Sequence, residues 1–127
     1  RHGPLLAVLL TGGIFGAMHL LNTGVTLLSF LNLFLSGAFF ALYALLEGNI
    51  LGACGLHMGW NFAQSAIFGV HVSGEVRRHA LFACEPVGVN WLNGGVFGPE
   101  GGLIATFALL VGILAMVGRI RASKDGN

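Results

Sequence analysis

Four stretches of this chain, 4–21, 25–46, 49–70 and 102–118, contain no Asp, Glu, Lys or Arg. Each approaches the roughly 20 apolar residues that a helix needs to cross the hydrocarbon core of a bilayer. Charged residues make up only 9% of the 127, against about 25% in soluble domains. That deficit argues against a water-soluble globule. The expected fold is therefore all-α: a polytopic transmembrane helix bundle with about four membrane helices, forming a single partial membrane domain over 1–127. Pro4 suits a first helical turn, where its missing N–H costs nothing. The connections at 22–24 and 47–48 admit only tight hairpins, so neighbouring spans should be antiparallel. Residues 71–101 form a long polar loop of a kind that is often functional, and 119–127 a polar tail.

Charge narrows the function classes. The net charge of +1 supplies no basic stripe to neutralise phosphates, which excludes a nucleic-acid partner. Arg1, Arg119, Arg121 and Lys124 on one side outnumber Arg77 and Arg78 on the other. The excess of positive residues places both ends, and the tail, in the cytoplasm. The first residue is Arg1 rather than Met, so the chain reads as an internal or C-terminal piece of a longer protein. Cys54 and Cys84 have no metal-ligand spacing and are not expected to pair.

The informative residues are the polar ones inside the apolar runs, because such groups tend to face a bundle interior or a cavity. His19 ends the first run, and His57 and Asn61 lie in the third. On a helical wheel starting at Gly55, Gly59, Ala63 and Ala66 fall within about 80°, while Gln64, His57 and Asn61 lie at roughly 180–240°. One face is smooth and the other polar, which predicts a central place for this helix. His57 and Asn61 are one turn apart and can address the same point. Ser29, Asn32, Ser36 and Tyr43 line the second run and are expected to bond neighbouring helices. The pairs Gly12/Gly16 and Gly55/Gly59 are expected to serve close helix packing.

A hydrolytic site needs an activated water and oxyanion donors. His57 and Asn61 can supply the donors, and His19 can orient the water. No run contains a carboxylate, so on these residues the chain holds part of a site and is expected to be inactive alone. Two His and an Asn are a poor zinc set, because neutral ligands compensate little charge. Depth sets a further condition. His19 lies ~22 Å along its span and His57 ~12 Å along its own, from the same side. A tilt, a kink or a shifted helix end must close that gap if the two share a site.

The motifs resemble a known family. Phe15-Gly-Ala-Met-His19 has the form FxxxH, and His57-Met-Gly-Trp-Asn61 the form HxxxN, within GLHMGWNF. With the runs HLLNTG and GGVFGPEGG, they resemble the CPBP family of intramembrane proteases, also called the type II CAAX prenyl protease or Abi family. The family's EExxxR motif is absent here. The resemblance implies an intramembrane endopeptidase of the CAAX protease or bacteriocin-processing type. An upstream glutamate pair and His19 would activate water, and His57 and Asn61 would hold the oxyanion. Phe15, Trp60 and Gln64 become candidates for the substrate pocket. The family is called metalloprotease by name, so zinc on His19 and His57 stays open as a cofactor. The implied partners are the lipid bilayer and a membrane protein or peptide substrate, with a prenylated one among the options. The implied location is the prokaryotic cytoplasmic membrane. Two other readings stand beside this one: a non-catalytic partner-binding or immunity protein with the same bundle, and a membrane protein binding haem between His19 and His57.

Overall fold

The computed structural model describes residues 3–75 and 79–125. Regular structure among them is helical, apart from one isolated bridge between Val72 and Glu75. The helices are α1 (Pro4–Ala17), α2 (Leu27–Glu47), α3 (Leu51–Phe62), α4 (Asn90–Asn93) and α5 (Leu103–Asp125). A six-residue π-helix, Ala63–Phe68, continues α3, and two 3-10 turns, Gly95–Phe97 and Pro99–Gly101, lead into α5. All four apolar runs are thus helical. Two helical stretches, Leu27–Glu47 and Leu103–Ser123, are long and apolar enough to cross a membrane. Arg1, Arg77 and Arg78 lie outside the described residues, as does the side chain of Lys124.

Two boundaries differ from the sequence expectation. The first helix stops at Ala17 rather than 21. At its end the His19 backbone N–H turns to the Gly16 carbonyl at 3.1 Å. The His19 ring nitrogen Nδ1 takes the Phe15 carbonyl at 2.7 Å, the acceptor that the backbone of a continuing helix would use. The imidazole therefore caps the helix that it was expected to extend. At the other end of the chain, α5 runs through the polar tail to Asp125, because Arg, Ala and Lys are good helix formers.

The centre of the bundle is α2, not α3. It packs against α1, α3 and α5. Thr26 and Ser29 start it with a reciprocal cap: Ser29 N–H donates to Thr26 Oγ1 at 3.1 Å, and Thr26 N–H to Ser29 Oγ at 2.7 Å. Gly37 lets α1 approach, since a Cβ there would lie 2.7 Å from Phe15 Cβ and 2.9 Å from Gly12 Cα. Gly12 and Gly16 likewise face Phe34 and Phe30 of α2, so this small-residue pair serves packing as expected. Gly55 and Gly59 do not, because a Cβ at either would meet nothing within 4 Å. The smooth face of α3 is left outward, which is why α3 is peripheral. Among the described residues the buried apolar core is small (Leu33, Ala38, Ala53 and Phe97), while Leu5, Leu27, Leu51, Phe107 and Leu114 are exposed. An outward apolar surface of this extent suits a lipid solvent.

Asn32 joins the layers. Its Nδ2 donates to the carbonyls of Glu100 at 2.8 Å and Gly102 at 2.9 Å. Its Oδ1 accepts from Thr106 Oγ1 at 2.7 Å. Of the polar line on α2, Asn32 alone makes the expected bond to a neighbouring helix. Ser29 is spent on the cap, Ser36 bonds back to Asn32 O at 2.9 Å, and the Tyr43 ring lies against Gly52.

Candidate active site

The early end of α1 closes the gap in depth between the two histidines. Phe15 sits on the last turn of α1, and its ring is in contact with both imidazoles. Its centroid is 4.9 Å from that of His19 and 5.3 Å from that of His57. Phe40 of α2 also packs on His57 at 5.3 Å and lies 5.8 Å from Phe15, so the two phenyl rings meet the imidazole as neighbours. Two aromatic rings thus fix the His57 plane.

His57 and Asn61 pair along α3. The Asn61 side-chain amide donates to His57 Nε2 at 3.2 Å, which leaves the ring proton on Nδ1. Asn61 Oδ1 is buried with no hydrogen-bond partner. The alternative amide orientation, with His57 Nε2–H donating to Oδ1, would leave Nδ2 as the buried partnerless atom instead. In either arrangement one polar atom of Asn61 is directed into the interior without a partner. Such groups are rare and call for an explanation. His19, engaged through Nδ1, keeps Nε2 for a ligand.

A carboxylate reaches α3 from the loop, although no apolar run contains one. Glu100 Oε1 accepts from Trp60 Nε1–H at 2.8 Å and from Gln64 Nε2–H at 3.0 Å. Its Oε2 accepts from Ser73 Oγ–H. With three donors on it, this carboxylate has most of its acceptor capacity in use, so it serves as a fixed acceptor rather than a free base. Sequence reasoning missed it, because only the tertiary fold brings residue 100 to residues 60 and 64. The single available signal was its place in GGVFGPEGG.

The pocket candidates have different surroundings. Gln64 is buried against Glu100, and its Oε1 has no partner. Phe15 is packed against both histidines and Phe40. Trp60 is half-exposed and forms part of the wall of a cavity of about 490 Å³, with His71, Asn90, Val96 and Ile104 among the other lining residues. His19, His57 and Asn61 do not line it.

A zinc ion needs at least three protein ligands at a catalytic site. Among the described residues no three His, Cys, Asp or Glu side chains come together as a metal-holding set. His57 Nε2 is also engaged by Asn61. These residues alone do not fit a zinc centre. Cys54 and Cys84 are free and exposed.

The comparison with known families bears on the same residues. The family model described as type II CAAX prenyl endopeptidase, Rce1-like, matches residues 1–63. That stretch contains both the FxxxH and the HxxxN segments. No curated protein and no solved structure matches the chain.

Proposed function

We propose that this chain, whose residues 1–63 match the family model of Rce1-like type II CAAX prenyl endopeptidases, carries the histidine and asparagine part of an intramembrane endopeptidase site. The observation that supports the reading is the convergence of His19 and His57 on the Phe15 ring, with Asn61 hydrogen-bonded to His57. Two polar groups of α3 and one from the turn after α1 thus gather about one aromatic ring.

The roles follow from the geometry. A peptide carbonyl entering beside His57 and Asn61 would replace their mutual bond. The Asn61 amide and His57 Nε2, in its protonated form or tautomer, then donate to the oxygen as it gains charge. Donors set in place before the reaction are the main source of such stabilisation. His19 Nε2 accepts a proton of the attacking water, while its Nδ1 stays on the Phe15 carbonyl, which fixes the ring. The carboxylate base that the family resemblance implies belongs to EExxxR, a motif not present in this sequence. The substrate class is a peptide bond within or next to the membrane, with a prenylated peptide among the candidates. We place the protein in a prokaryotic cytoplasmic membrane with its Arg119/Arg121 end in the cytoplasm.

The test is proteolysis of membrane-embedded peptides by the intact protein. Asn61→Ala should lower kcat by about 10²–10³ with KM nearly unchanged. His57→Ala should do the same or more. The double variant should lose less than the product of the two, since both donors serve one oxygen. Equal activity of wild type and both single variants would overturn the assignment. A total absence of proteolysis would favour the non-catalytic partner-binding reading.

A further inference from the structure

We propose that Glu100 is a positioning residue of this site: its carboxylate holds Trp60, Gln64 and Ser73 together and so sets the rotation of α3 that aims His57 and Asn61 at Phe15. The proposal rests on the endopeptidase reading for its kinetic consequence, but its structural content stands apart from it.

The argument begins with what surrounds the carboxylate. Trp60, in the last turn of α3, and Gln64, in the π-helix that continues it, both donate to Oε1. Asn61 follows Trp60 directly, and His57 lies one turn before Asn61. A helix held at Trp60 and Gln64 cannot turn about its axis without breaking two bonds to a charged acceptor. Such bonds are about twice as strong as neutral ones. Beyond Phe62 the helix widens into the π form, so the restraint acts just where the regular backbone ladder changes.

Glu100 is itself fixed at two further points. Its backbone carbonyl is held by Asn32 Nδ2 of α2 at 2.8 Å. Its second carboxylate oxygen is held by Ser73 Oγ. Ser73 has φ +46°, a left-handed conformation that a non-glycine residue keeps only where its surroundings impose it. Asn22 Nδ2, from the turn after α1, donates to the Ser73 carbonyl at 2.8 Å. The chain of contacts runs from the His19 end of α1 through Asn22, Ser73 and Glu100 to α3. Glu100 thus links the segment that carries His19 to the helix that carries His57 and Asn61.

The test separates position from charge. Trp91→Phe leaves Trp60 as the only indole, and the intact protein in detergent or bilayer gives one indole N–H resonance. In that background Glu100→Gln and Glu100→Asp are compared. Aspartate keeps the charge but is one methylene too short to hold all the donors. Both variants should move the Trp60 indole N–H resonance upfield and alter the His57 imidazole ¹⁵N signals. Both should lower kcat on the order of 10²-fold, the cost of a displaced catalytic geometry, with KM nearly unchanged. Overturning results are an unmoved indole signal in Glu100→Gln, or wild-type behaviour of Glu100→Asp beside a defective Glu100→Gln. The latter would make the charge alone responsible. If either variant fails to fold, Trp60→Phe and Gln64→Met each remove one donor. Wild-type His57 ¹⁵N signals in both would refute the proposal. If the wild type shows no proteolysis, the endopeptidase reading fails, while the two resonance measurements still decide the role of Glu100.

Discussion

Replacing Asn32 by leucine should destabilise the bundle by about 3–5 kcal/mol. Leucine has a similar outline, so the change removes hydrogen bonds without leaving a large cavity. Asn32 is 1% exposed and makes three bonds to the 100–106 segment. Side-chain hydrogen bonds between membrane helices average about 0.6 kcal/mol each, because the unfolded chain in the membrane also finds partners. Three of them amount to about 2 kcal/mol. The Gly102 carbonyl keeps the Thr106 N–H at 3.3 Å, whereas the Glu100 carbonyl loses the Asn32 donor. Leaving a buried carbonyl unsatisfied adds about 1–3 kcal/mol. The assay is reversible unfolding in mixed micelles of rising SDS fraction, followed by helical circular dichroism. Asn32→Asp serves as the control that keeps an acceptor for Thr106 but loses the two donations. A loss below about 0.5 kcal/mol for Asn32→Leu would refute the accounting, and would mean that the loop before α5 is not anchored through this side chain.

Gly37→Ala should push α1 from α2 and cost about 1–3 kcal/mol, whereas Gly55→Ala, in open space, should be neutral or slightly stabilising. Thermal unfolding of the two variants checks this, and equal effects would refute the packing assignment. Asn61→Asp can donate to an oxyanion only when its carboxyl is protonated, so its proteolysis should fall as pH rises while the wild type does not follow it. A flat profile would exclude Asn61 as a donor. Single cysteines at Val87 and Ala122, in a chain with Cys54 and Cys84 replaced, should label from opposite sides of the membrane. Labelling from one side would show that α5 does not cross.

Much of this structure could be read from residue order alone, for local reasons. The absence of charge over four runs set the positions of the helices. The i, i+4 spacing of His57 and Asn61 put them on one face, as the wheel required. The smooth face at Gly55 and Gly59 was also legible, but not its direction, because a wheel does not say which side has a partner. Ala66 was placed with those glycines. In the structure it is half-buried and its carbonyl accepts from Leu81 N–H at 2.9 Å, since the π-helix breaks the 3.6-residue period after Phe62. The end of α1 was misplaced because hydrophobicity continues to Leu21, while the helix is stopped by a side chain competing for its own backbone. Glu100 was illegible for a different reason. Its partners are 27, 36 and 40 residues away, and no local period connects them.

The Asn32 clamp also constrains the order in which the protein can be made. Its three partners lie 68, 70 and 74 residues later in the chain. A nascent chain that has delivered α1, α2 and α3 to the membrane still carries this amide without the groups that complete it. Glu100, the link between the first and third helices, is translated with the same late segment. The second helix must therefore wait in the bilayer, provisionally solvated by water or by other polar groups, until the last helix follows. A ribosome stalled before residue 100 would expose a bundle that holds both histidines and the asparagine but not the strut that aligns them. Assembly of the site is thereby tied to the synthesis of the 100–106 segment.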